Sequence, residues 1–168
     1  IYMNIKKTAN SLINFIIRRL AEIFGLIILI LGILLLISLL SYSPEDPNFI
    51  FPDNIEIKNI LGFKGSFVSD LFFQSLGLIS YMISLTLIIT GINIFKIKEF
   101  FLIIENIFFA IIYSITGTLF LAHFYSEGFT LYINGNGGFV GTYFNQTFLG
   151  SLILINEILF YYVLIFLL

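Results

Sequence analysis

Charge is what this sequence has least of. Of 168 residues only 11% are Asp, Glu, Lys or Arg, while 59% are hydrophobic, and soluble domains carry about 25% charged residues. The deficit excludes a water-facing surface over most of the chain, in keeping with a mean hydropathy of +1.05. Cysteine is absent, which removes disulfides, thiolate nucleophiles and cysteine metal sites together. The eight Lys and Arg are scattered and the formal net charge is −2. No basic stripe exists to neutralise a row of phosphates, so this segment alone is not expected to grip nucleic acid. No Ser–His–Asp grouping, nucleotide-binding lysine motif or paired catalytic carboxylates are present either. No enzyme active site or cofactor is expected within the segment.

What is present is a set of long apolar runs. The first, within "IFGLIILILGILLLISLL", has no charge between Glu22 and Glu45. Roughly 20 apolar residues match a hydrocarbon layer about 30 Å thick. The expected fold is therefore an all-α integral membrane protein with four crossings, near residues 23–41, 71–95, 102–124 and 149–168. An interfacial helix from Phe139 to Phe148 should precede the fourth. Residues 1–22 form an N-terminal flank, and residues 42–66 and 125–138 form the two longer loops. The first run is too long for a signal peptide and lacks a cleavage site, so it reads as a retained anchor. Met3 is a candidate start, and the last run is expected to continue past Leu168.

Lys and Arg near the ends of the runs set the orientation. Lys6, Lys7, Arg18 and Arg19 precede the first run, and Lys96 and Lys98 sit in the short second connection. The first long loop holds only Lys58 and Lys64, and the other holds none. Both termini are expected in the cytoplasm. The stop after the first run, "LLSYSPEDPNF", then lies at the outer face. Proline bends the preceding residue away from helix and removes a donor, while Glu45 and Asp46 require water.

Small residues mark faces where helices could approach. Gly77, Ser84 and Gly91 recur every seven residues with Ser80 close by, Gly25 and Gly32 are seven apart, and Ala110, Ser114 and Gly117 follow in the third run. Glu157 is the acid of interest. It falls about seven residues into the fourth crossing, roughly 10 Å below the outer face by helical rise, where a carboxylate is expensive and a functional candidate. Asn156 and His123 are its conceivable partners. His123 has no second ligand at metal spacing, and Glu105 is expected to share a helical face with Lys98. The glycine turn "NGNGGFVG", Asn134 to Gly141, has neither a lysine nor a preceding strand, and reads as a flexible turn rather than a phosphate cradle.

Four stretches together resemble the four-helix N-terminal membrane domain of the FtsK/SpoIIIE DNA translocases. They are "RRLAEIFGL" (Arg18 to Leu26), "LLSYSPEDPNF" (Leu39 to Phe49), "NILGFKGSFVSDLFFQSLGLISY" (Asn59 to Tyr81) and "GNGGFVG" (Gly135 to Gly141). The motif residues are Ser41, Tyr42, Pro44, Asp46, Pro47, Asn59, Gly62, Gly65, Asp70, Gly77, Tyr81, Gly137, Gly138 and Gly141. Phe49, Lys64 and Glu157 depart from the pattern. The resemblance spans about Arg18 to Leu168. It implies an inner-membrane anchor that holds a cytoplasmic motor at the division septum. That motor, with its ATP, Mg and DNA contacts, would lie beyond Leu168. Homo-oligomers (a hexamer), membrane lipids and cell-division proteins are the implied partners. Two other readings stay open: a transporter or channel fragment that uses Glu157, and a small membrane assembly factor.

Overall fold

A computed structural model describes residues 2–47, 56–126 and 134–168, with side chains from Asn10 onward. Parts of both long loops therefore lie outside the described residues, as do Phe49 and the side chains of Lys6 and Lys7. All regular structure among the described residues is helical: α1 (Tyr2–Leu40), α2 (Gly62–Leu76), α3 (Ser80–Ile97), α4 (Phe101–Phe124), α5 (Gly138–Asn145), α6 (Phe148–Ile155) and α7 (Glu157–Leu167). Asn10–Leu40, Gly62–Ile97 and Phe101–Phe124 are long and apolar enough to cross a membrane. Helix is the form such runs must take, because lipid offers nothing to an unpaired backbone N–H or C=O. The chain is an all-α, multi-pass membrane protein.

Three boundaries differ from the sequence expectation. Helix α1 begins at Tyr2 rather than near residue 23, because neither Gly nor Pro interrupts the flank. The second run is two helices. Gly77 takes φ +57° and ψ −139°, a single 3₁₀ turn (Gly77–Ile79) follows, and α3 starts afresh. The fourth run is also split. Asn156 leaves helical geometry (φ −153°, ψ 80°), and its side chain accepts a hydrogen bond from Leu159 N at 3.2 Å, capping α7.

The main pair is an antiparallel hairpin of α1 and α3. A Cβ on Gly25 would stand 2.7 Å from Phe95 N and 2.9 Å from Gly91 O. On Gly91 it would meet Leu29 N at 2.5 Å, and on Gly32 Ile88 N at 2.8 Å. The two backbones touch, which is how helices adhere where lipid tails give no hydrophobic drive. One end of the hairpin is tied by Lys98 Nζ to Glu22 Oε1 at 2.6 Å, the other by Tyr81 OH donating to Leu39 O at 3.3 Å. The rise from Glu22 to Leu39 is about 26 Å at 1.5 Å per residue, close to the hydrocarbon thickness.

Helix α4 carries the remainder. Gly137 and Gly141 of the α5 region lie against Thr118 O and Ala122. Leu119, Ile153 and Leu164 bring α4, α6 and α7 into one buried cluster. Two polar pairs join this half to the hairpin: Thr86 Oγ1 with Tyr113 OH at 2.7 Å, and Asn106 Nδ2 donating to Thr90 Oγ1 at 2.9 Å.

Candidate functional site

The polar residues of the chain concentrate where α1 ends. Ser41 turns its hydroxyl back to Ile37 O at 2.7 Å, and the exposed Pro44 lets the chain leave the helix. Asp46 then folds inward and is 1% exposed. One carboxylate oxygen accepts Lys58 N and the other Asn59 N, each at 2.8 Å. This single side chain closes the loop by holding its far end against its near end. Asn59 continues the chain of bonds by donating to Ser38 O at 2.9 Å, and Ser38 donates to Gly65 O at 2.6 Å. Ser66 donates to Pro47 O at 3.2 Å, and Tyr42 OH donates to Asp70 Oδ1 at 3.2 Å. The N–H of Gly62, itself at φ +67°, donates to Asn59 O at 2.8 Å where α2 begins. Gly65 must be glycine because a Cβ would collide with the Asn59 side-chain oxygen.

Phe73, fully buried, fills the floor of this cap. Its ring lies 4.9 Å from Tyr42 and 5.4 Å from Tyr81, both edge to face, over Leu35 and Leu39. Outside, Lys58 and Glu45 form an ion pair. The hydrogen bond and charge of Lys58 hold the Glu45 carboxyl below the usual carboxylate range, and Glu45 pushes the Lys58 ammonium up.

A second joint adjoins the cap. Leu78 N donates to Asn136 O at 3.0 Å across the bend at Gly77, and Asn134 Nδ2 donates to Gln74 O at 3.1 Å. Gly138 is at φ +63°, and a Cβ there would stand 2.6 Å from Gly77 N. The glycine turn is thus a wedge that locks the bend between α2 and α3, with Gly77 and Gly138 back to back. Asn136 is buried, and its side-chain oxygen has no partner among the described residues.

The structure brings together Ser41, Tyr42, Asp46, Pro47, Asn59, Gly62, Gly65, Asp70 and Tyr81 in the cap, and Gly77, Gly137, Gly138 and Gly141 in the adjoining joint. Gly25, Gly32 and Gly91 face each other's helices within one chain. Ser84 is fully buried, Ser114 supplies the carbonyl that Thr118 Oγ1 bonds at 2.6 Å, and Gly117 meets Ile79 and Leu168. Ala110 lines a cleft of about 210 Å³ between α1, α3 and α4.

Glu157 lies apart from both the cap and the adjoining joint. The break at Asn156 restarts the helix, so Glu157 opens α7 beside Phe124, the last residue of α4. It is exposed there, level with the end of α4. Its conceivable partners are otherwise engaged. Asn156 caps α7, and His123 Nδ1 pairs with Asn145 Oδ1 at 2.8 Å. Lys98 and Glu105 do not share a helix either. Lys98, at φ 65°, terminates α3, and its ammonium goes to Glu22, which Arg19 also holds at 2.6 Å. Among the described residues no group of His, Asp and Glu could hold a metal.

Sequence reasoning missed Ser38, Glu22, both polar pairs on α4, and the buried Ser69, whose hydroxyl donates to Gly65 O at 2.9 Å within the cap. A faint signal existed for two of them: Ser38 is a lone hydroxyl late in an apolar run, and Glu22 follows Arg19 by one helical turn. The cap's hydroxyls, carboxylates and amides are largely matched to one another, an arrangement suited to holding a shape at a membrane surface.

Residues 17–168 match the family described as the 4TM region of DNA translocase FtsK/SpoIIIE. Curated relatives are similar over shorter spans. A DNA translocase FtsK of Azospirillum brasilense is 28% identical over 112 residues, which is 66% of this chain and 17% of the relative. One from Rickettsia typhi is 24% identical over 136 residues, 81% of this chain and 18% of the relative. One from Rickettsia prowazekii is 33% identical over 72 residues, 43% of this chain and 10% of the relative. The matched stretches thus cover less than a fifth of these relatives' length. No solved structure matches the chain.

Proposed function

Because this chain belongs to the family of the 4TM region of DNA translocase FtsK/SpoIIIE, we propose that it is the membrane-anchoring and assembly domain of a septal DNA translocase. Its work is mechanical. It would hold an ATP-driven, DNA-moving motor against the inner membrane at the division site, with both chain ends in the cytoplasm. In this reading the motor, with its Mg and ATP, would lie beyond Leu168, and copies of this domain would assemble as a hexamer with it.

The supporting observation is the polarity of the α1–α3 hairpin. Arg18, Arg19, Lys96 and Lys98 gather at its Glu22 end, while Lys58 and Lys64 alone serve the capped end. Positive residues stay on the side of insertion, so the Glu22 end is the cytoplasmic one and the cap faces out. The capped loop is then the surface offered to cell-division proteins. An ion path through Glu157 finds less support, because that carboxylate is exposed beside the end of α4.

Fusions at Leu168 in growing cells test the orientation. A fluorescent reporter that folds only in the cytoplasm should be bright there, and alkaline phosphatase should be inactive. Active phosphatase would leave a motor on the wrong side and end the proposal. Residues 1–168 fused to a fluorescent protein should also gather at septa; even staining of the cell periphery would remove the septal part.

A further inference from the structure

The glycine turn carries a reactive pairing that anchoring does not use. Asparagine is followed by glycine twice, at Asn134–Gly135 and Asn136–Gly137. In such a pair the glycine nitrogen and the asparagine Cγ can close a five-membered ring, and glycine has no side chain to obstruct the approach. The two pairs have opposite surroundings. Asn136 is 3% exposed, and its Nδ2 donates to Tyr125 O. Attack on its Cγ would drive negative charge onto Oδ1, which is buried and has no donor among the described residues to receive that charge. Asn134 is only partly buried, so solvent supplies donors to its side-chain oxygen. Gly135 takes φ +71°, and a Cβ there would meet only Ser126 O, at 3.5 Å, among the described residues. Its N–H has no backbone partner among them. The ring has room to form at Asn134 and a nitrogen to form it.

We propose that Asn134 is a site of spontaneous modification, converted to aspartate and isoaspartate by its own backbone, and that the conversion loosens the bend between α2 and α3. Gly135 N gives its proton to solvent and bonds to Asn134 Cγ. The Cγ–Nδ2 bond breaks, and Nδ2 takes up a proton and leaves as ammonia. Water then opens the succinimide at either carbonyl, which gives aspartate or isoaspartate. The amide of Asn134 donates to Gln74 O at 3.1 Å. Either product puts a carboxylate there, and a carboxylate only accepts hydrogen bonds. Two acceptors then face each other, and the wedge loses its tie to Gln74. Isoaspartate also lengthens the main chain by a carbon beside Gly138, which stands against Gly77.

The test ages the full-length protein in nanodiscs, in oxygen-18 water, at neutral and mildly alkaline pH. Peptide mapping by mass spectrometry should find Asn134 converted, with heavy oxygen in the product and both isomers present. The rate should rise with pH, because the attacking nitrogen must lose its proton. Asn136 should lag by about tenfold or more, since it reacts only after the turn opens. In urea the two sites should react alike, which assigns the difference to the fold rather than to neighbours in sequence. Asn134→Asp supplies one product directly, and in it amide exchange at Leu78, whose N–H donates to Asn136 O, should quicken about tenfold. An intact Asn134 in the folded protein, or an Asn136 that reacts as fast, overturns the modification site. Unchanged exchange at Leu78 in Asn134→Asp overturns the loosening.

Discussion

At the scale of single residues, Asp46 is the most consequential side chain of the cap. Its two oxygens satisfy two successive backbone N–H groups, of which that of Asn59 is buried and would otherwise be unpaired. Asp46→Ala should destabilise the domain by about 2–3 kcal/mol, the cost of hydrogen bonds to a charged acceptor. Thermal unfolding in detergent measures this, and limited proteolysis should find new cleavage near Lys58. A change indistinguishable from wild type would mean that the loop closes without the carboxylate.

The neighbouring Glu45–Lys58 pair behaves differently because it is exposed. Glu45 has its folded pKa depressed below 4.5, so its contribution is present above 4.5 and is lost as pH falls through the depressed value. Lys58 has its folded pKa raised above 10.5, so its contribution holds below 10.5 and fades as pH rises through the raised value. The loop clasp should therefore be level between these limits and loosen outside both. Amide exchange at the loop should show the acid limb in wild type and lose part of it in Glu45→Gln. High salt should shrink the difference, since exposed pairs are screened.

At the scale of elements, equal letters have unequal weight. Gly91 touches the α1 backbone, so Gly91→Leu should cost about 3 kcal/mol or more and separate α1 from α3. Gly62 has φ +67° with nothing within 4 Å of a built Cβ, so Gly62→Ala carries only the left-handed backbone strain, about 1 kcal/mol. Cysteine pairs placed along α1 and α3 would report hairpin closure for each variant. If Gly91→Leu leaves cross-linking intact while changing oligomer size, the glycine face serves neighbours rather than the hairpin.

At the scale of the whole molecule, the hairpin and the α4 half are two packed units with few polar ties inside the membrane. Among the described residues, Thr86–Tyr113 and Thr90–Asn106 are those ties. Intramembrane hydrogen bonds average about 0.6 kcal/mol, up to about 1.7. Tyr113→Phe with Asn106→Leu should therefore leave both units folded and broaden the α3–α4 distance distribution measured with paired spin labels. An unchanged distribution would assign their union to the Gly77–Gly138 joint alone.

Much of this was legible beforehand. The three long apolar spans, a separate short helix before the fourth run and the stop at Pro44 follow from hydropathy and from proline's missing donor, and both are properties of a residue and its immediate neighbours. Hydropathy adds up along the chain, so a run of apolar residues declares itself whatever it later touches. What only the tertiary structure decided are the breaks and the faces. Gly77 bends the chain because Asn136 and Gly138 stand against it, whereas Gly91 continues a helix because α1 lies flat on it. Asp46 reads as a hydrated surface acid until the amides of Lys58 and Asn59 come round to meet it. Glu157 reads as an acid seven residues into one unbroken helix until Asn156 caps a new one and sets the carboxylate beside the end of α4. Each of these depends on atoms distant in sequence, and a one-dimensional string orders residues by bonds rather than by the space they share.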